Sequence, residues 1–195
     1  MSNPKTETLI PAPAQLVIDF FDNELGGSLH GLSKAGLTPF GYQAVKAIEA
    51  QGMIVDVAHS SEQVVRDVLQ VATKPIVVSH SGVHGVCKSP RNISDELMKE
   101  IAEKGGLIGI GYWEGAVCDY TPDGVAKAIK YAVNLVGVDH VALGSDYDGT
   151  TSVKFDASES GALIDALQRQ GLSDEDIRKV AGENTIRFLQ EHLPD

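Results

Sequence analysis

Short apolar runs alternate with stretches of helical periodicity along this chain. The clearest runs are Met53-Ile54-Val55-Asp56-Val57-Ala58-His59, Pro75-Ile76-Val77-Val78-Ser79-His80, Gly106-Leu107-Ile108-Gly109-Ile110-Gly111-Tyr112 and His140-Val141-Ala142-Leu143-Gly144-Ser145-Asp146. Their length and their β-branched and aliphatic content predict strands buried on both faces. Leu16-Val17-Ile18-Asp19-Phe20-Phe21 is a candidate further strand, after a polar, proline-bearing lead-in over residues 1–15. A Gly- and Ser-rich loop over 22–34 follows.

Helix signals fill the intervals. Thr38 can cap a helix whose first position is Pro39, and Gly52 stops it after Gln51. Ser60-Ser61-Glu62-Gln63 predicts a helix over 61–73, and Ile93-Ser94-Asp95-Glu96 one over 95–104. Thr121-Pro122-Asp123 opens a helix reaching about residue 135, and the tail from Ala157 is helical with breaks near Gly171 and Gly182. The order βαβαβαβα implies an α/β fold with a parallel sheet covered by helices. A small open sheet and a segment of a (β/α) barrel both fit. A full barrel takes about 250 residues and eight strands. Four clear strands in 195 residues therefore point to the carboxyl-terminal half of a TIM-type barrel, with its domain over 16–195.

Composition narrows the partners. Apolar residues make up 43% of the chain, enough for a sizeable core, and the net charge of −11 argues against nucleic-acid or anionic-membrane partners. No apolar run has the length of a membrane span. The amino terminus lacks the basic start and apolar stretch of a secretory signal. Cys87 and Cys118 show no paired-motif spacing. Free buried thiols in a cytoplasmic protein are the expectation.

Candidate chemistry gathers where the runs end. In parallel α/β folds, function sits at the carboxyl ends of strands. His59 and His80 each end a run, one βα unit apart, and neighbouring parallel strands lie about 4.8 Å apart. Either histidine alone reads as a hydrogen-bonded structural residue. Together they suit two neutral imidazoles on one transition metal. Asp146, in Asp146-Tyr147-Asp148-Gly149, is either an Asp-Gly turn former or the carboxylate that takes a proton from a metal-bound water. Asp148 reads as a turn former. Arg91, in the loop after His80, is either a solvated charge or a clamp for a substrate carboxylate. His84 reads as structural or peripheral, His30 could line the same mouth, and His140 and His192 read as surface residues. Gly109-Ile110-Gly111-Tyr112-Trp113-Glu114 fails as a dinucleotide fingerprint, because Glu114 stands where the third glycine belongs.

The motifs Gly36-Leu37-Thr38-Pro39-Phe40-Gly41, Asp56-Val57-Ala58-His59, Ser79-His80-Ser81, Ser89-Pro90-Arg91-Asn92 and Gly144-Ser145-Asp146-Tyr147-Asp148-Gly149 occur in one order. In that order and spacing the chain resembles the membrane (renal-type) dipeptidase family, peptidase family M19, within the amidohydrolase-like hydrolases. Phe20-Phe21-Asp22-Asn23-Glu24-Leu25-Gly26-Gly27-Ser28 also looks like a segment of its bacterial members. The resemblance implies hydrolysis of a dipeptide's peptide bond at a binuclear zinc site, some members accepting a D-residue at the carboxyl side. It implies that His59 and His80 hold one zinc, that Arg91 contacts the dipeptide, and that Asp146 works with the bridging water. The family's His-x-Asp pair and bridging glutamate have no counterpart here, and Asp19 stands where members carry a substrate-binding histidine. The expectation is a half-barrel whose amino-terminal half is absent, with two open sheet edges and an apolar inner face that a partner, a second copy or a rearranged chain must cover. Three functions fit: a dipeptidase completed by its missing half, an inactive remnant that binds a partner or itself, or another amidohydrolase.

Overall fold

The computed structural model describes residues 14–15, 23–28 and 34–194. The strands are β1 (Ala14–Gln15), β2 (Val55–Asp56), β3 (Val77–Ser81), β4 (Leu107–Ile110) and β5 (Val141–Leu143). The helices are α1 (Pro39–Ala50), α2 (Glu62–Val71), α3 (Asp95–Glu103), α4 (Glu114–Val117), α5 (Pro122–Val136), α6 (Ser160–Arg169), α7 (Asp174–Arg178) and α8 (Asn184–His192). The strands form one parallel sheet in chain order, β1-β2-β3-β4-β5. Spatial neighbours are therefore sequence neighbours, the winding of a (β/α) barrel segment. Among the described residues β1 and β5 are the ends of the sheet.

The helix caps form as their residue types require. Thr38 Oγ1 accepts the Gly41 amide at 3.0 Å, and Ser61 Oγ accepts that of Val64 at 3.2 Å. Ser94 Oγ accepts from Leu97 at 3.4 Å, and Thr121 Oγ1 from Gly124 at 3.2 Å. Each satisfies an amide with no partner inside its helix, a stabilisation of about 1 kcal/mol. The helix expected to reach Thr73 ends at Val71, because Ala72 is already extended (φ −65°, ψ 137°). Four-residue α4 was not anticipated; one turn is too short to show a periodicity. Residues 14–15, expected in the lead-in, pair with β2. The candidate strand over 16–21, with Asp19, lies outside the described residues, as does His30.

Alternation along the strands sorts the core into two layers. Val55, Val57, Ile76, Val78, Ile108, Ile110 and Val141 pack with helix residues such as Val64, Val68, Leu97, Ile101, Val125 and Ile129. The intervening Val77, Leu107 and Ala142 cluster with Ile54 and with Phe188 of α8, flanked by Leu189 and Leu193. The inner face, expected to need a partner, a second copy or a rearranged chain to cover it, is partly covered by the chain's own last helix. Asn184, buried at the start of α8, donates to Val138 O at 2.8 Å and Val141 O at 2.9 Å, which ties that helix to the beginning of β5. A cavity of about 170 Å³ remains between Phe188 and the inner face of β3, β4 and β5.

The expected free thiols are corrected: Cys87 and Cys118 form a disulfide, their Cα atoms 5.4 Å apart. The loop after β3 folds back over the turn that ends α4, a contact that a separation of 31 residues conceals. Disulfides belong to oxidising compartments, which weighs against the cytoplasmic placement. No described helix is long and apolar enough to cross a membrane.

Candidate functional site

Two of the residues singled out in the sequence sit on backbone that L-residues rarely adopt. His59 has φ 67° and Asp146 φ 57°. His59 lies in the tight turn after β2, closed by the Ser60 amide on Val57 O at 3.1 Å. Asp146 opens the turn after β5, where Asp146 O accepts the Gly149 amide at 3.1 Å and the Thr151 hydroxyl at 2.9 Å. A Cβ on Gly149 would meet Asp146 Oδ1 at 2.3 Å, so any larger residue there would displace this carboxylate. Left-handed backbone costs roughly 1–2 kcal/mol per residue. It persists where the surroundings over-determine it, commonly at functional sites.

These turns bring the predicted residues together. His59 Nε2 and His80 Nε2 are 2.9 Å apart, and Asp146 Oδ1 is 3.8 Å from His80 Nε2. Ser79 Oγ is 2.9 Å from His80 Nδ1. With the proton on Nδ1 and Ser79 Oγ accepting it, the Nε2 lone pair of His80 points at His59 and is available to a metal. Burial, then the Arg91 charge, lowers the His80 pKa, against the opposing pull of Asp146, Asp56 and Asp148. The ring is therefore neutral near pH 7, as a ligand must be. Burial raises the Asp146 pKa above the usual carboxylate value, although His80 and Arg91 pull it down.

Arg91 is buried rather than solvated, only 4% exposed. It donates to His80 O at 3.0 Å and to Ser81 Oγ at 3.3 Å, and its guanidinium lies 5.7 Å from the Trp113 ring centroid. Burial lowers its pKa to about 10, against the carboxylates of Asp146 and Asp56, so it stays charged at neutral pH. His84 is exposed and Asp148 lies in the turn closed on Asp146. His140, expected at the surface, is partly buried at the opposite end of β5, its Nδ1 2.9 Å from Gly106 O.

Two contributors escaped the sequence reading. Asp56 is 5% exposed, and its Oδ1 accepts the amides of Ala58 at 3.0 Å and Ser79 at 3.1 Å. A carboxylate inside an apolar run was the signal that it has fixed partners. Trp113, the single tryptophan, sits beside His80, ring centroids 6.0 Å apart.

The two ring nitrogens are 2.9 Å apart, closer than the roughly 3.4 Å that two imidazoles on a tetrahedral zinc would keep, so the rings would have to part by about half an ångström to share one ion. A catalytic zinc takes three or more protein ligands. Among the described residues no group of three or more His, Cys, Asp or Glu is placed to hold a metal ion. The residues present fit part of such a site, not all of it.

A singly wound parallel sheet with imidazoles and a carboxylate at its rim defines an α/β domain of the amidohydrolase barrel type. An amidohydrolase from Pseudomonas aeruginosa superposes with a TM-score of 0.83 at 25% identity, over 95% of this chain and 65% of that one. The chain belongs to the membrane dipeptidase family (peptidase family M19), whose sequence profile matches residues 21–193. A dipeptidase of Aspergillus terreus is 33% identical over 182 residues, covering 87% of this chain and 44% of the relative. A metallo peptidase from Rhodobacter sphaeroides, liganded with a phosphinate mimic of the dipeptide L-Ala-D-Ala, superposes with a TM-score of 0.79 at 25% identity, over 93% of this chain and 55% of that one. The chain thus spans about half the length of these two peptidases.

Proposed function

We propose that this chain is the carboxyl-terminal part of a metal-dependent dipeptidase. The approach of His59 Nε2 to His80 Nε2 at 2.9 Å beside Asp146, in a chain of the M19 family, supports this reading most directly. His59 and His80 are its zinc ligands, completed by donors beyond the described residues. A bound zinc would supply Lewis acidity and an activated water. Asp146 accepts a proton at a carboxylate oxygen and passes it to the leaving amine; its raised pKa suits that exchange. Arg91 holds the substrate's carboxylate through its charge. The substrate class is dipeptides, including those with a D-residue at the carboxyl side, after the mimic bound by the Rhodobacter sphaeroides relative.

The test is release of alanine from L-Ala-D-Ala by zinc-loaded protein, alone and with an M19 amino-terminal half-barrel added as a separate chain. Zinc-dependent hydrolysis that Asp146→Asn abolishes is the expected result. No hydrolysis in either arm would overturn it in favour of an inactive module.

A further inference from the structure

We propose that the Cys87–Cys118 disulfide is a positioning element for the site, holding Trp113 against His80 and Arg91, so that its reduction loosens that side of the rim. Four observations converge on it. First, the bridge joins the two segments that carry the site's aromatic and cationic groups. Cys87 lies four residues before Arg91 in the loop after β3, and Cys118 ends the single turn of α4, whose N-cap is Trp113. Second, the same segments are tied beside the bridge by Asn92. Its side-chain amide donates to Cys87 O at 2.7 Å and to Ala116 O at 2.8 Å. Asn92 is 4% exposed, and a Cβ on Gly82 would meet both its Oδ1 and Ala116 O at 2.1 Å, so the segments approach closely there.

Third, Cys118 is held in a conformation that its own backbone disfavours. Its φ of 61° and ψ of −56°, with the Asp119 amide on Val117 O at 2.7 Å, make a γ-turn of the rare positive-φ kind. A single helical turn is not stable by its own hydrogen bonds; Ala116 and Val117 anchor its buried side, while the end at Cys118 is exposed and depends on the bridge. Fourth, the bridge is reachable: Cys87 is buried but Cys118 is exposed. A dithiol can therefore attack it, leaving two cysteine thiols and the oxidised dithiol. Once cut, the γ-turn relaxes, and α4 keeps the Asn92 tie and the packing of Ala116 and Val117 in the core. Trp113 then moves off the Arg91 guanidinium and the His80 ring.

Because Trp113 is the only tryptophan, its fluorescence reads this movement whether or not the protein hydrolyses anything. The experiment compares oxidised protein, protein reduced with dithiothreitol, and the Cys87→Ala/Cys118→Ala double variant. Reduction should shift the emission to longer wavelength and raise the acrylamide quenching constant about twofold, with far-ultraviolet circular dichroism unchanged. The double variant should match the reduced protein. Unchanged emission and quenching after thiol titration shows both cysteines reduced would overturn the proposal. So would loss of the whole fold on reduction, since the bridge would then hold the domain rather than the rim; this reading comes from reduced wild type even if the variant fails to fold. The kinetic consequence rests on the dipeptidase reading: reduction should raise KM several-fold and leave kcat nearly unchanged. Absence of hydrolysis would remove that reading alone, leaving the fluorescence result to stand.

Discussion

Asp56 Oδ1 accepts the Ser79 amide at 3.1 Å, which fixes the end of β2 to the residue before His80 on β3. The same oxygen takes the Ala58 amide at 3.0 Å and so shapes the approach to His59. One buried carboxylate therefore sets both imidazoles. Asp56→Ala would leave two main-chain donors unsatisfied, and we expect it to lower stability by about 3 kcal/mol. Zinc affinity should fall by roughly tenfold. Denaturant midpoints and zinc titration check both, and an unaltered midpoint would show that these hydrogen bonds carry no weight.

The histidine pair can be tested apart from catalysis. His59→Asn removes the imidazole while keeping a residue that tolerates φ near 67°. His80→Ala removes the partner ring. If the two nitrogens share an ion, either change lowers zinc affinity by on the order of 100-fold or more, and the double variant adds little. Additive small losses, each well under tenfold, would place the rings on different ions or on none.

Kinetics should separate the carboxylate from the guanidinium. Asp146→Asn is expected to reduce kcat by about 10²–10⁴ with little change in KM. Arg91→Lys loses the planar donor geometry that reaches His80 O and Ser81 Oγ, and should raise KM roughly tenfold. Steady-state rates on one dipeptide suffice; equal effects of both variants on kcat and KM would sink the division of roles.

Glu62 gives the fold a pH-dependent joint between α2 and α3. It accepts the Ser94 amide at 3.1 Å and pairs with Arg66 at 3.3 Å. Burial pushes its pKa up, but the Ser94 hydrogen bonds and the Arg66 charge outweigh it, so the carboxyl ionises below its ordinary 4.5. The unfolded chain then binds the proton more readily. The stabilisation is complete above about pH 4.5 and is lost as pH falls through the native value. With its side chain 35% exposed, the pair contributes under about 1 kcal/mol. Glu62→Gln should lower the melting temperature slightly at pH 7 and converge with wild type on acidification. A gap that stays constant down to pH 3 would refute the linkage.

Among the described residues Phe188 is the one aromatic side chain buried in the inner-face cluster, and the 170 Å³ cavity lies beside it. Phe188→Ala would enlarge that void and should cost about 3–5 kcal/mol, read by chemical denaturation. A loss below about 1 kcal/mol would mean that α8 does not secure the inner face.

Local chemistry was legible along the chain. Thr38, Ser61, Ser94 and Thr121 are cap residues whose function depends on the next three amides, so their helices could be read without knowing the fold. The β-branched runs around Val55, Val77, Ile108 and Val141 likewise carry their own pattern, and their alternation with helices indicated a parallel sheet; the spatial order of the strands came from the structure. The motif order from Gly36 to Gly149 was sufficient to indicate the family. Tertiary structure decided what depends on distant groups meeting. Burial of Arg91 under Trp113, the tie from Asp56 to Ser79, the Cys87–Cys118 bridge and the seating of Phe188 on the inner face each join residues on separate elements. Such contacts depend on where β-strand ends and loops arrive in space, and neither periodicity nor residue spacing encodes that.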